Sequence, residues 1–485
     1  MRKILILSAL IVMNGFATAT NISVSNIYLL HEPDKPTSLR ARFELKWENA
    51  WHNTKNYDAA WVFFRYQVPP RYQYSIPAKI APTNHKMLMN HIQNAPDPLI
   101  QTSDDLFGLF VHPDKTYRGN VHWTMEVTLD TSIFSNQNIT VWDLHLNVYA
   151  IEMVFIPEGA FYVGDLDTTL VNTAAMLFKS DAHGQYDGFY KIENENSEIE
   201  ISPATGKLYY HANEPEFEGD AQGPIPAAFP KGVQAFYMMK YELKQGEYAA
   251  FLNSLGVHSQ TRNNFGGKGY YSGRGTISII EDRYIAEAPQ RPCNFLSWDD
   301  AMAFADWSGL RPMTELEYTK ASRGSQPPKH PREFNWGTNS KQQLQRYVNE
   351  VGDLVYKNGW DESQLNDSNR GIFGASYYWV MDLAGSLWER VISIGHPKGR
   401  AFQGTHGDGR LTRYEGKATN EDWPLGIEET GGYGYRGGGF YEYEMVHSNM
   451  NPHSPVAHRH FGAWSGGYRA IAYGSRFVRT VSIKK

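Results

Sequence analysis

The sequence predicts an α+β protein in two parts: an all-β, sandwich-like domain, then a larger mixed region of short strands and short helices. Three observations predict this. First, several stretches in the first third alternate apolar and polar side chains. Phe43, Leu45 and Trp47 oppose Arg42, Glu44 and Lys46, and Val121, Trp123, Met125, Val127 and Leu129 oppose His122, Thr124, Glu126, Thr128 and Asp130. Trp142, Leu144, Leu146 and Val148 oppose Asp143, His145 and Asn147 in the same way. A period of two marks strands with one wet face. Second, two later stretches open on helix-capping residues: Ser297 precedes Asp299 and Asp300, and Thr314 stands three residues before Glu317 as a capping box. Third, 43 glycines and 14% aromatic residues among 485 favour short strands and tight turns over long helices.

Taken in chain order, Arg2 and Lys3 precede an apolar run at 4–12, and Ala17-Thr18-Ala19 has the small-x-small pattern of a cleavage site. Residues 1–19 therefore read as a secretory signal peptide. The apolar run falls short of the roughly 20 residues a membrane span requires. The mature chain is expected to be exported, periplasmic or extracellular, without a span. Residues 20–148 read as the β-sandwich-like domain. Here 21–30 and 59–67 add strands, with Pro-containing turns at 32–36 and 68–71. No spacing in it suggests catalysis, and a docking or spacer role fits. Residues 149–485 form the second domain. MVFIPEGAFYVGD (153–165) is a strand, a Pro turn and a second strand, and Tyr248, Phe251, Leu252 and Leu255 share a helical stripe. The polar stretch at about 166–232, acidic at 193–200, reads as an insertion in the form of a solvated loop or hairpin.

Composition excludes several classes. With 41% hydrophobic and 20% charged residues the chain can bury a large core. A net charge of −6 argues against a general nucleic-acid binder, and a mean hydropathy of −0.51 excludes a multi-span membrane protein. The one cysteine, Cys293, permits neither an intramolecular disulfide nor a cysteine cage for zinc; it reads as a small buried apolar residue.

In order and spacing, MVFIPEGAFYVGD, FYMMKYELKQGEYAAFLNSL (236–255), PCNFLSWDDAMAFADW (292–307), RPMTELEYTKASRG (311–324), DLAGSLWE (382–389), RGGG (436–439) and GYRA (467–470) resemble the formylglycine-generating enzyme, or sulfatase-modifying factor, family. The resemblance implies a C-type-lectin-like fold with two short helices, small twisted sheets and much irregular chain. It also implies oxidation of a substrate cysteine by copper(I) held on two thiolates. Counted from Arg436, the positions matching that thiol pair are Glu442 and His447, neither of them a thiol. Copper is thus not expected, no catalytic residue is assigned, and the chain reads as a pseudoenzyme.

What remains is a ligand groove at Arg436, Phe440, Tyr441, Tyr443 and Trp464, whose aromatic and polar side chains suit an exported protein, peptide or glycan. Two metal sites are candidates. In the family the loop matching DLAGSLWE binds calcium; here it offers Asp382, Gly385 and Glu389, with Ser386 in place of the usual asparagine. His447, His453, His458 and His460 fall within fourteen residues and suit a transition metal. The expected function is a non-catalytic binding or structural module, as in secretion or cell-surface assembly. The alternative is a metal-dependent oxidoreductase centred on those histidines.

Overall fold

Alternating side chains in the first part become strands that bury one face. The computed structural model describes residues 22–32, 35–68, 71–132, 141–213, 215, 217–256, 275–349, 353–413, 415–424, 431–439, 453–466 and 469–481. The expected signal peptide lies outside the described residues. Nine strands open the fold: β1 (Ile22–Glu32), β2 (Lys35–His52), β3 (Asp58–Val68), β4 (Arg71–Pro77), β5 (Lys86–Asn90), β6 (Pro98–Thr102), β7 (Gly108–Pro113), β8 (Tyr117–Leu129) and β9 (His145–Ile156). One sheet has the order β1-β2-β8-β5. Its β2–β8 ladder sets Phe43 opposite Met125 and Leu45 opposite Trp123. Those four side chains are fully buried, as the period-two pattern requires.

A second sheet carries the rest of the architecture. Its order is Arg311–Pro312, Phe477–Thr480, Phe236–Met239, β9, β3, β7, β6, with β4 added on β3. The domain boundary expected near 148 therefore falls inside β9, which pairs with β3 along one edge and with Phe236–Met239 along the other. β3 explains why the two parts share a wall. Ala60, Val62, Phe64 and Tyr66 join the core beneath the four-stranded sheet. Ala59, Trp61 and Phe63 join a second core that contains the later helices. A strand buried on both faces has no polar side to show, so DAAWVFFRYQV reads as a nearly continuous apolar run.

Three helices back the second core: Gln245–Leu255, Trp298–Trp307 and Glu315–Arg323. The expected caps form, with Ser297 Oγ accepting the Asp300 N–H at 3.1 Å and Thr314 Oγ1 accepting the Glu317 N–H at 3.1 Å. Trp307 packs edge-on against Phe63, centroids 5.1 Å apart. Polar ties cross the wall as well. Trp61 Nε1 donates to the Ser308 carbonyl at 2.9 Å. Arg65, fully buried, donates to the carbonyls of Trp307 and Gly409 and to Ser75. Lys240 is 2.6 Å from Glu152 and 3.5 Å from Asp58, all three fully buried.

The stretch at 166–232 corrects an expectation. It forms two small interleaved antiparallel pairs, Tyr190–Ile192 on the preceding Phe161–Val163, and Phe178–Lys179 with Leu208–Tyr209. It is not a solvated loop throughout, because Leu170, Met176, Phe178, Tyr210 and Phe229 are fully buried. Those apolar residues lie scattered among polar ones without a period, so the sequence gives no sign of their inward face. Among the described residues, no helix is long and apolar enough to cross a membrane.

Candidate functional site

The site expected around the RGGG turn is built on a buried carboxylate. Glu315 opens the helix Glu315–Arg323, where a negative charge suits the helix N-terminus. Arg459 donates two hydrogen bonds to it, at 2.5 and 2.9 Å. Arg436 adds a third at 3.3 Å, and the Ile394 N–H a fourth at 2.9 Å. All three charged side chains are fully buried. Burial alone would raise the Glu315 carboxyl. Arg459, then Arg436 and the Ile394 N–H, outweigh it and hold the carboxyl below its usual range. The 166–232 stretch closes this cluster: Tyr210 and Phe217 lie 4.6 and 5.0 Å from the Arg459 guanidinium, which also donates to the Ala175 carbonyl.

Arg436 therefore does not face a groove; it is an interior ion-pair partner, and this overturns its expected role. The glycines after it serve close approach. Gly437 has φ +96° and accepts from the N–H groups of Gly385 and Ser454. A Cβ there would lie 2.7 Å from the Leu383 carbonyl oxygen, and one on Gly439 would lie 2.7 Å from the Trp388 nitrogen. Trp464 is half-buried against Tyr435, Phe461 and Tyr473, with centroids 5.3 to 6.0 Å apart. Phe440, Tyr441, Glu442, Tyr443 and His447 lie outside the described residues.

The histidines that are described do not gather. His453 sits edge-on to Trp336 at 5.5 Å, while His458 and His460 stack at 5.8 Å. Burial first, then the Lys341 charge, brings His453 down to about 4. Burial followed by the charges of His460 and Arg436 brings His458 to about 3. Among the described residues no three-ligand group includes any of them.

The calcium donors are also engaged elsewhere. Asp382 pairs with the Arg346 guanidinium. Glu389 accepts from Arg476 at 2.7 and 2.8 Å, with both side chains fully buried. Gly385, with φ +91°, makes the turn between them. Asp382 thus gives one carboxylate oxygen to Arg346 and leaves Oδ2 buried without a hydrogen-bond partner among the described residues, while Glu389 is held by Arg476. The sequence could not show this, because Arg346 and Arg476 lie far from the loop in the chain.

Arg476 neutralises one of two neighbouring carboxylates, and Glu242 is the other. Glu242 accepts the Leu387 N–H at 2.8 Å and is fully buried. Burial, then the Glu389 charge, pushes its carboxyl up to about 8, against the pull of Arg476. In the unfolded chain the value is about 4.3. The folded state thus holds an extra proton between these limits, and stability falls as pH rises through that window. Glu242→Gln mimics the protonated form. Thermal melts are expected to show its advantage over wild type widening from pH 5 to pH 8 and levelling above; a gap independent of pH would count against this assignment.

A separate pocket of about 360 Å³ opens beside β6, lined by Gln101, Asp104, Asp105, His406, Arg479 and Thr480 among others. It shares no residue with the Glu315 cluster.

Strand-rich sheets with few short helices define a mixed α+β protein. Residues 147–481 match the family described as the sulfatase-modifying factor enzyme 1-like domain. That match covers more than half of the chain, and the protein belongs to this family. Among curated proteins it is similar to the formylglycine-generating enzyme of Bos taurus, 24% identical over 204 residues, covering 36% of this chain and 53% of that protein. The formylglycine-generating enzyme of Thermomonospora curvata is 27% identical over 198 residues, 36% of this chain and 63% of that protein. The one from Mycobacterium tuberculosis is 28% identical over 120 residues, 24% and 39% respectively. The chain thus spans about half the length of the curated relatives it matches first.

Proposed function

We propose that this protein is an exported, non-catalytic member of its family, a binding or structural module for a peptide, glycan or partner protein in secretion or at the cell surface. One observation carries the proposal. The chain has a single cysteine, and its side chain is fully buried in the apolar core beside the helices. The relatives' name denotes formylglycine generation, and the thiolate-copper chemistry that the resemblance implies needs two sulfur ligands open to substrate. A lone interior thiol supplies neither the number nor the access. The positions matching the thiol pair, Glu442 and His447, offer a carboxylate and an imidazole, which are poor hosts for copper(I).

We infer the finer architecture in the same sense. The two sheets enclosing one apolar core support a β-sandwich, and the short capped helices with small sheets support the C-type-lectin-like fold of the larger part. Half-buried Trp464, packed on the buried rings of Tyr435 and Phe461, is the contact point we assign to the partner.

The test is direct. Purified protein is incubated with copper, reductant, oxygen and a cysteine-bearing sulfatase peptide, and aldehyde is measured by hydrazide capture and mass. No aldehyde above the enzyme-free control is expected. Catalytic conversion would overturn the proposal.

A further inference from the structure

The polar face of the four-stranded sheet gathers two imidazoles and a carboxylate. Glu44 on β2 pairs in register with Thr124 on β8, and His122 pairs with Lys46, so Glu44 and His122 are diagonal neighbours on one face. Their side chains meet at 2.9 Å, Glu44 Oε2 to His122 Nε2. His91 follows the edge strand β5, tied down by its N–H donating to the His122 carbonyl at 2.9 Å. Its ring lies flat on that of His122, centroids 4.0 Å apart and 16° from parallel. One ligand atom from each of the three lies within 4.8 Å of the others.

We propose that Glu44, His91 and His122 form a zinc-class divalent cation site. Neutral imidazole and carboxylate are the ligand types zinc takes, and three protein ligands leave a fourth position for water. His91 is exposed and the other two are half-buried, so the fourth position opens to solvent. Supporting contacts orient the ligands. Asn26 Nδ2 donates to Glu44 Oε1 at 2.8 Å, leaving Oε2 turned toward His122. His91 Nε2 lies 2.7 Å from Thr124 Oγ1. Such secondary contacts hold metal-binding side chains in place. Lys46, 4.0 Å from Glu44, is half exposed and free to swing toward water as a cation enters. The ion displaces a proton from between Glu44 and His122 and clips the end of β5, a sheet edge, to β8 beside it and β2 beyond.

The site is independent of the histidines near 453–460, and the experiment separates the two. Zinc is titrated into the full-length mature chain, freed of any affinity tag, against a competing chelator at pH 7.5. Wild type is expected to bind one equivalent that His122→Gln and Glu44→Gln weaken at least tenfold, while His453→Ala leaves it unchanged. Cobalt in place of zinc is expected to give a visible absorption band that is lost in the same two variants. Because both substitutions sit on the wet face and keep a polar side chain, the variants retain the fold, checked by circular dichroism. If zinc fails to bind, or binds His122→Gln and Glu44→Gln as it binds wild type, the proposal is wrong.

Discussion

Glu315→Gln is expected to destabilise the protein by about 3–5 kcal/mol, the usual loss when one partner of a buried ion pair is removed. The reason is arithmetic of charge. Glu315 is the carboxylate shared by Arg459 and Arg436. Glutamine keeps the shape but leaves two guanidinium groups buried without a counter-charge. Arg436→Met should be milder, because Glu315 then keeps Arg459 with its two hydrogen bonds. Urea denaturation followed by tryptophan fluorescence compares the two. Equal losses, or a loss below about 1 kcal/mol for Glu315→Gln, would mean that the cluster is not the electrostatic unit described here.

Lys240→Met is expected to have an effect of similar size, about 3–5 kcal/mol at pH 7, with a distinctive pH dependence. Lys240 stands between Glu152 and Asp58 in a fully buried triad. Burial already drives the Asp58 carboxyl well up; the Lys240 charge opposes this and Glu152 adds to it. Without the ammonium, Asp58 holds a proton in the folded state that the unfolded chain releases. Stability of the variant therefore falls as pH rises above about 4 and recovers as pH drops toward 5. Denaturation at pH 5 and pH 7 measures it. A penalty that is the same at both values would show that lost packing, not uncompensated charge, is responsible.

Legibility in the sequence follows the number of wet faces. The strands at 41–47 and 121–130 declare themselves because Phe43, Leu45, Trp123 and Met125 point to a core while Arg42, Glu44 and Thr124 meet solvent. Helix starts at Ser297 and Thr314 are equally plain, since capping is a local bargain between residues three apart. In contrast, β3 reads as a strand yet conceals that its second face serves another core. That information resides in Trp307 and Ser308, far along the chain. The candidate site suffers most from this. Arg436, Asp382 and Glu389 look like free polar groups in the sequence, and each meets a long-range partner, Glu315, Arg346 or Arg476, that no local pattern connects to it. Glu315 carries no local mark of its role, because the capping signature belongs to Glu317, two positions on.

The order of strands in the shared wall differs from their order in the sequence. Phe236–Met239 is flanked by β9, which precedes it, and by Phe477–Thr480, which comes much later; Arg311–Pro312 then docks outside that. Closing such long loops is entropically demanding and makes folding slow. Until the late strand arrives, Phe236–Met239 offers an unpaired hydrogen-bonding edge to any neighbouring chain. A nascent polypeptide of this kind spends its most vulnerable interval with part of its framework missing, so its yield in a cell is governed by shielding during that delay as much as by the strength of the finished structure.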